Sequence, residues 1–229
     1  MYYIAAPFGN YLKFEKTTSV AGTFTVSRRP GLIKQLIKTL RYSPFDKCWY
    51  NQLGLRNPGI KYAVNRYESG QIISIAAIEQ NDWLLLNNII PKNIPLELNI
   101  SCPNINHFED YIKDIHLFRD RDCIVKLPPK PPERMIYDLV NIGFRKFHCC
   151  NTLMTEKGAR SGKILIPLVT RMIINLKNID NEIYCIAGGG IDSIEDIDFY
   201  RRCGADGFSF GTVCFNPFKL RKIIKHVSQ

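Results

Sequence analysis

Short runs of apolar, β-branched residues recur along the chain and alternate, in its second half, with segments of helical periodicity. Eight runs predict strands, at residues 2–6, 20–27, 71–78, 96–101, 123–128, 144–150, 183–189 and 206–211. Helical spacing of apolar residues occurs at 107–119, 132–142, 163–177 and 193–203. Strands that alternate with helices are typical of a parallel sheet with right-handed crossovers. Eight of them predict an α/β fold, a (β/α)8 TIM barrel that spans residues 1–229 as a single domain.

The first part of the chain departs from this pattern. Only "PFGNYLKFEKTTS" separates the first two runs, and it is too short and too interrupted for a good crossover helix. Residues 42–70 read as mostly irregular. These features predict a barrel that is trimmed near its first helix, with an open sheet as the alternative.

Composition narrows the class of protein. Apolar residues make up 45% of the chain and charged residues 23%, which is typical of a soluble globular protein. The longest apolar stretches are too short to cross a bilayer, and no basic segment precedes the first strand as in a signal peptide. We therefore expect a cytoplasmic protein without a membrane partner.

Cysteine usage and net charge say less about function. The eight cysteines form no C-x-x-C, and the four histidines do not pair with them at zinc spacing, so we expect neither disulfides nor a metal site. A net charge of +10 favours anionic partners, either nucleic acid or phosphate and carboxylate ligands. Charge alone leaves both open.

Polar residues and glycines stand where the predicted strands end. The active site of a TIM barrel lies at the carboxyl ends of its strands. Asn99, Cys102 and Asn104 follow the fourth run, Lys126 lies in the fifth, and Asn151 follows the sixth. The last two runs end in "GGG" (188–190) and in Gly211-Thr212. Glycine-rich ends at these two positions are typical of a phosphate site.

These residues carry a resemblance to a known family. The motifs "NISCPN" (99–104), "VKLPP" (125–129), "NTL" (151–153), "SGK" (161–163), "AGGGIDS" (187–193) and "GADGFSFGT" (204–212) resemble, in order, those of dihydroorotate dehydrogenase. The segment "NQLGLRNPGI" (51–60) is similar to another motif of that family. The likeness extends from about residue 20 to residue 215. Related FMN barrels such as the tRNA dihydrouridine synthases share the glycine-rich end and a cysteine, but fit the asparagines less well.

The resemblance implies FMN-dependent oxidation of dihydroorotate to orotate in pyrimidine biosynthesis. Cys102 would be the base that removes the C5 proton while hydride leaves C6, and a cysteine there implies the soluble class 1 enzymes. Five residues would bind the pyrimidine: Asn51, Asn99, Asn104, Asn151 and Thr152. Seven would bind FMN, Lys126 at the flavin ring and the others at the ribityl chain and phosphate: Lys126, Ser161, Gly162, Gly189, Gly190, Gly211 and Thr212.

The sequence also departs from the family. Val26 takes the place of a lysine that contacts the flavin, and Arg28 and Arg29 are the neighbouring cations that could replace it. The lid loop after "SCPN" is short, and "LMTEKGAR" replaces a long excursion before "SGK". Two alternatives follow: a flavin enzyme that acts on RNA, like the tRNA dihydrouridine synthases, and a non-catalytic barrel that binds flavin or phosphate. Among partners, a homodimer is left open and nucleic acid is disfavoured.

Overall fold

Eight parallel strands close into a barrel in the computed structural model, which describes residues 1–100 and 114–227. The barrel strands are β1 (Tyr2–Ile4), β2 (Thr18–Phe24), β5 (Ile72–Ile75), β6 (Leu96–Asn99), β7 (Cys123–Lys126), β8 (Lys146–Cys149), β11 (Tyr184–Gly188) and β12 (Gly207–Phe210). They follow one another around the barrel in chain order, and β12 pairs with β1 to close it. Seven of the eight predicted runs contain one of these strands, and the second run, 20–27, overlaps β2, which begins two residues earlier. The predicted TIM barrel is confirmed, and the open sheet is wrong.

Helices surround the barrel. They are α1 (Leu32–Thr39), α2 (Ile60–Asn65), α3 (Asp82–Ile89), α4 (Glu133–Ile142), α5 (Ile166–Ile179), α6 (Ile194–Arg202) and α7 (Pro217–Val227). The periodic segments 132–142, 163–177 and 193–203 correspond to α4, α5 and α6, with 3-10 turns at Lys163–Leu165 and at Ile115–Phe118. Residues 107–113 of the remaining predicted helix lie outside the described residues. Between β1 and β2 there is a 3-10 turn, Phe8–Asn10, so the barrel is trimmed there as expected.

A second, antiparallel sheet lies beside the barrel. Its strands, in spatial order, are β3 (Arg41–Ser43), β4 (Cys48–Asn51), β10 (Gly158–Arg160) and β9 (Leu153–Thr155). Residues 42–70 are mostly irregular, as predicted, but they also contain β4 and α2, which the sequence did not predict. The strand β4 pairs with β10, far along the chain, through the partners Asn51 and Ala159. Local sequence does not reveal such a pairing.

The barrel interior changes from apolar to polar along the strands. One small cluster of buried residues joins five barrel strands through Tyr3, Val20, Ile72, Ile124 and Ile186. Side chains two residues apart in a strand point to the same face. Ser74 lies two residues after Ile72 in β5, and Lys126 lies two residues after Ile124 in β7. The next layer of side chains toward the carboxyl ends of the strands is therefore polar. The fold thereby places polar side chains beneath the mouth of the barrel.

Candidate active site

Four adjacent strands place a buried polar cluster inside the barrel. Glu97 of β6 is 1% exposed. Its Oε1 accepts a hydrogen bond of 2.8 Å from Ser74 Oγ of β5, and its Oε2 lies 2.7 Å from His148 Nδ1 of β8. The Lys126 ammonium of β7 lies 3.7 Å from Glu97 Oε1. Both carboxylate oxygens therefore have partners, which a buried charge requires.

The charges in this cluster follow from its geometry. Burial opposes ionisation of Glu97, but the Lys126 charge and the hydrogen bonds from His148 and Ser74 outweigh it and lower the pKa of Glu97 to about 2. Burial, and then the Lys126 charge, lower the pKa of His148 despite the neighbouring carboxylate. At neutral pH the cluster therefore holds an ionised Glu97 and a neutral His148, whose Nδ1–H donates to the carboxylate.

Hydrogen bonds extend the cluster to the mouth of the barrel. Ser74 Oγ lies 3.0 Å from Thr23 Oγ1 of β2. Asn99 at the end of β6 donates from Nδ2 to Thr23 Oγ1 at 3.1 Å, and accepts at Oδ1 from Asn151 Nδ2 at 3.3 Å. The backbone N–H of Asn151 donates to the carbonyl of Leu127, just past β7. Two of the predicted asparagines are thus held against each other by a continuous network.

A cavity of ≈ 630 Å³ opens above this network. Five of the predicted site residues line it: Asn51, Asn99, Lys126, Asn151 and Thr152. Its walls also include apolar side chains such as Leu53 and Met154, and the cations Lys13, Arg56 and Arg66. Mostly apolar walls with a few convergent polar groups are typical of a small-molecule site. The structure therefore brings together the predicted pyrimidine-binding residues that it describes.

The loop that follows β4 forms one wall of the cavity and is tied to the barrel by Asn57. Its Oδ1 accepts from the backbone N–H of Thr25 at 3.2 Å and of Gly59 at 2.8 Å, and its Nδ2 donates to Thr25 Oγ1 at 2.9 Å. Asn57 is 7% exposed. The segment 51–60, which resembles a motif of the family, thus forms one wall of the cavity. The buried amide of Asn57 holds this wall against the end of β2.

Six of the seven predicted flavin residues lie outside the lining of this cavity, and four of these six are in close backbone packing. Ser161 Oγ donates to the carbonyl of Trp49 at 3.1 Å, and a Cβ added at Gly162 would lie 3.2 Å from Cys48 Cβ. Gly189 and Gly190 both have positive φ, of 131° and 77°. A Cβ added to them would come within 2.9 Å of Leu165 and 2.6 Å of Ile166. Positive φ and close packing both favour glycine at these two positions, with or without a ligand.

Gly211 and Thr212 differ from those four. Gly211 has a φ of −104°, and a Cβ added to it would meet no atom within 4 Å. Thr212 opens the 3-10 turn Thr212–Phe215, which follows β12. Open space beside a backbone N–H at the start of a helical turn suits an anion.

Two predicted residues, Cys102 and Asn104, lie outside the described residues. The chain is described as far as Ile100, whose N–H donates to the carbonyl of Lys126. Among the cysteines that the structure describes, burial raises the pKa of Cys123, Cys150 and Cys214 to about 12, so these thiols stay protonated.

An apolar side chain stands where the resemblance implies a lysine that contacts the flavin. Val26 is partly buried against the main core, and Arg29 donates from Nε and Nη2 to the carbonyl of Gly54, both at 3.3 Å. Neither Arg28 nor Arg29 is among the residues that line the cavity. The buried cation that reaches the cavity from the barrel interior is Lys126.

Four residues of the site were not predicted from the sequence: Thr23, Ser74, Glu97 and His148. A signal was present for two of them. Glu97 interrupts the apolar run "LELNI", and His148 lies within "KFHCC". A charged or titratable residue inside a strand that is buried on both faces must have a partner, which marks it for the barrel interior. Thr23 and Ser74 carry no comparable signal.

Comparison with known proteins places the chain beside one group of enzymes. No protein-family model matches it. Among curated proteins, "Dihydroorotate dehydrogenase B (NAD(+)), catalytic subunit" of Thermotoga maritima is 26% identical over 254 aligned positions, covering 97% of this chain and 93% of the relative. The protein of the same description from Malacoplasma penetrans is 26% identical over 224 positions, covering 81% and 73%.

Solved structures agree on the fold. A structure of ligand-free DHODH from Eimeria tenella has a TM-score of 0.71 at 17% identity, covering 89% of this chain and 74% of that one. The same protein in complex with ferulenol has a TM-score of 0.68, also at 17% identity, covering 93% and 76%.

Proposed function

We propose, from the premise that this chain is a divergent homologue of the dihydroorotate dehydrogenases, that it oxidises dihydroorotate to orotate with FMN as the hydride acceptor. The observation that carries the proposal is the lining of the cavity. Asn51, Asn99 and the adjacent pair Asn151 and Thr152 come from three separate segments and line one space with Lys126. Asparagine offers donors and an acceptor together, which suits a planar ring that carries several carbonyl and N–H groups.

The residues present fit FMN. When bound, FMN supplies the hydride acceptor. Lys126 offers a positive charge at the cavity wall, and Glu97 fixes its position from below. Gly211, with open space where a Cβ would lie, and Thr212, which opens the 3-10 turn, would hold the phosphate through their backbone N–H groups. Positive charge that is already in place costs no reorganisation when negative charge develops beside it.

The side chains of this chain would divide the remaining work. The asparagines would orient the pyrimidine, and the apolar walls at Leu53 and Met154 would keep water from the reacting carbon atoms. Cys102 would take the C5 proton of dihydroorotate at its Sγ. This role rests on its place three residues after the last residue of β6, Asn99, and on the resemblance.

Anaerobic mixing of the FMN-loaded protein with dihydroorotate tests the proposal. We expect loss of the oxidised flavin absorbance band in the wild type. In Cys102→Ala the rate should fall about 10²–10⁴-fold, since this is what a positioned base contributes. Cys203→Ala, in a partly exposed position outside the cavity, is the matched control and should behave as wild type.

Equal rates for the wild type and Cys102→Ala would remove the cysteine from the mechanism. Binding of FMN and orotate without any bleaching would instead identify a barrel that keeps its ligands and lacks the reaction. Bleaching by an RNA that contains dihydrouridine, but not by dihydroorotate, would favour the RNA-directed alternative.

A further inference from the structure

Helix α1 presents its apolar side to solvent. Ile33 is 77% exposed, Ile37 is 70% exposed and Leu36 is 40% exposed, and none of its eight residues is buried. These three residues lie on one side of the helix, since they are spaced one, three and four positions apart. An isolated exposed apolar residue is ordinary, but a helix side made of them marks an interaction surface.

The side of the same helix that carries Gln35 and Thr39 faces the protein, and Leu32 at its start lines the cavity. Gln35 donates from Nε2 to the carbonyl of Gln52 at 2.7 Å, and the N–H of Gln52 donates to Thr39 Oγ1 at 3.0 Å. Gln35 and Thr39 are four residues apart and so share a side of the helix. Two hydrogen bonds to the end of β4 therefore hold α1 with its isoleucines outward.

The sequence segment that contains this helix is strongly basic. Residues 16–67 contain ten lysines and arginines, and Asp46 is their only acidic residue, a net charge of +9 out of +10 for the whole chain. Lys34 and Lys38 are exposed on α1 itself. The Arg41 guanidinium folds over the end of the helix and donates to the carbonyls of Ile37 and Lys38 at 3.0 Å and 2.9 Å.

Helix α7 shows that this arrangement is not general. It is also basic and amphipathic, with the sequence "PFKLRKIIKHV". Its apolar residues Leu220, Ile223 and Ile224 are 0%, 3% and 6% exposed, so the fold covers them. The fold leaves the corresponding side of α1 uncovered.

We propose that the outer side of α1, defined by Ile33, Leu36 and Ile37 with Lys34 and Lys38, docks on the surface of an anionic lipid bilayer. Apolar side chains flanked by lysines are complementary to the acyl and headgroup region of such a surface. A second copy of the chain would bring the same lysines against these lysines. A nucleic acid would pair with the lysines and leave the isoleucines in water.

The helix would lie on the bilayer without crossing it. It has eight residues, and across residues 1–100 and 114–227 no helix is long and apolar enough to span a membrane. Docking on a lipid surface departs from the expectation, drawn from composition, that the protein has no membrane partner.

Co-sedimentation with vesicles tests this assignment on the full chain. The wild type should bind vesicles of phosphatidylcholine with phosphatidylglycerol and should not bind phosphatidylcholine alone. Ile33→Ser with Ile37→Ser should lower the bound fraction at least about tenfold. Lys34→Gln with Lys38→Gln should lower the affinity about fivefold per lysine at low salt.

The matched control removes two exposed apolar side chains elsewhere. Phe218 is 86% exposed and Ile174 is 45% exposed, and serine at both should leave vesicle binding unchanged. Absence of binding by the wild type, or equal loss in this control, would overturn the proposal.

Two other occupants would give different results. A wild-type dimer that becomes monomeric in the Ile33→Ser, Ile37→Ser variant, without vesicle binding, would assign the surface to a second copy and overturn the proposal. Binding to duplex DNA or RNA that needs the lysines and tolerates the serines would overturn it as well.

Discussion

At the mouth of the barrel, β6 and β7 end in Asn99 and Lys126, whereas β11 ends in Gly188 and β12 is followed by Gly211. On the first side the side chains hold one another through hydrogen bonds and an ion pair. On the second side the backbone itself packs, with Gly188 so close to His148 that an added Cβ would lie 2.0 Å from its Nε2.

The difference concerns how each side is positioned. A polar side chain in a barrel interior stays in place because its partners would be left unsatisfied without it. A glycine stays because any side chain would collide with its neighbours. We therefore expect loss of charge to destabilise the polar side, at the ends of β6 and β7. Added volume should destabilise the glycine side, at the ends of β11 and β12.

The largest effect should come from Glu97→Gln. Glutamine can keep the contacts with Ser74 and His148, but it leaves Lys126 as a buried charge without its counterion. Removing one partner of a buried pair costs about 3–5 kcal/mol. Chemical denaturation should show this loss in the free energy of unfolding, whereas Glu182→Gln, at an exposed position, should show none.

The pH dependence of stability sharpens the same prediction. The pKa of Glu97 falls from 4.5 to about 2 on folding, so its contribution is complete above pH 4.5 and is lost as the pH falls toward 2. The contribution at stake is about 3 kcal/mol. His148 adds to acid sensitivity, because its pKa is lowered from 6.5 and the unfolded chain takes up a proton first. A wild type and a Glu97→Gln variant with the same slope between pH 4.5 and 2 would contradict this account.

A smaller effect should separate two glycines. Gly189→Ala places a Cβ 2.9 Å from Leu165 Cδ1 at a φ of 131°, and should lower the free energy of unfolding by about 1–3 kcal/mol. Gly211→Ala meets open space at an ordinary φ and should change it by less than about 0.5 kcal/mol. Thermal unfolding of the two variants compares them directly, and similar losses in both would show that the glycine side is not positioned by packing.

The smallest effect concerns ligand binding on the polar side. Asn151→Ala should weaken orotate binding by about 0.5–1.5 kcal/mol, since one amide and its hydrogen bonds are lost. Calorimetric titration of orotate measures this, with Asn181→Ala as the exposed control. Unchanged affinity in Asn151→Ala would show that Asn151 does not contact the substrate. Its role would then be structural, through its hydrogen bond to Asn99.

Much of the barrel could be predicted from the sequence because its signals are local. Each strand is a short apolar run, and α4, α5 and α6 each have apolar periodicity of their own. The pairing that joins the two halves of the antiparallel sheet could not be predicted, since β4 acquires its partner β10 only when the barrel brings residues 51 and 159 together. Likewise, the site asparagines could be predicted from the strand ends, but Thr23 and Ser74 could not, because a hydroxyl in a strand has many uses.

By itself, the sequence determined the number of barrel strands, their order and the polar residues at their ends. Period-2 and period-3.6 patterns and turn residues act over a few positions and survive in one dimension. The tertiary structure alone decided which neighbours those residues meet. It set Glu97 between Lys126 and His148, which lowers the carboxylate's pKa, and it turned α7 inward and α1 outward although both are basic and amphipathic. Burial, and the electrostatics that burial strengthens, depend on three-dimensional neighbours that no local pattern encodes.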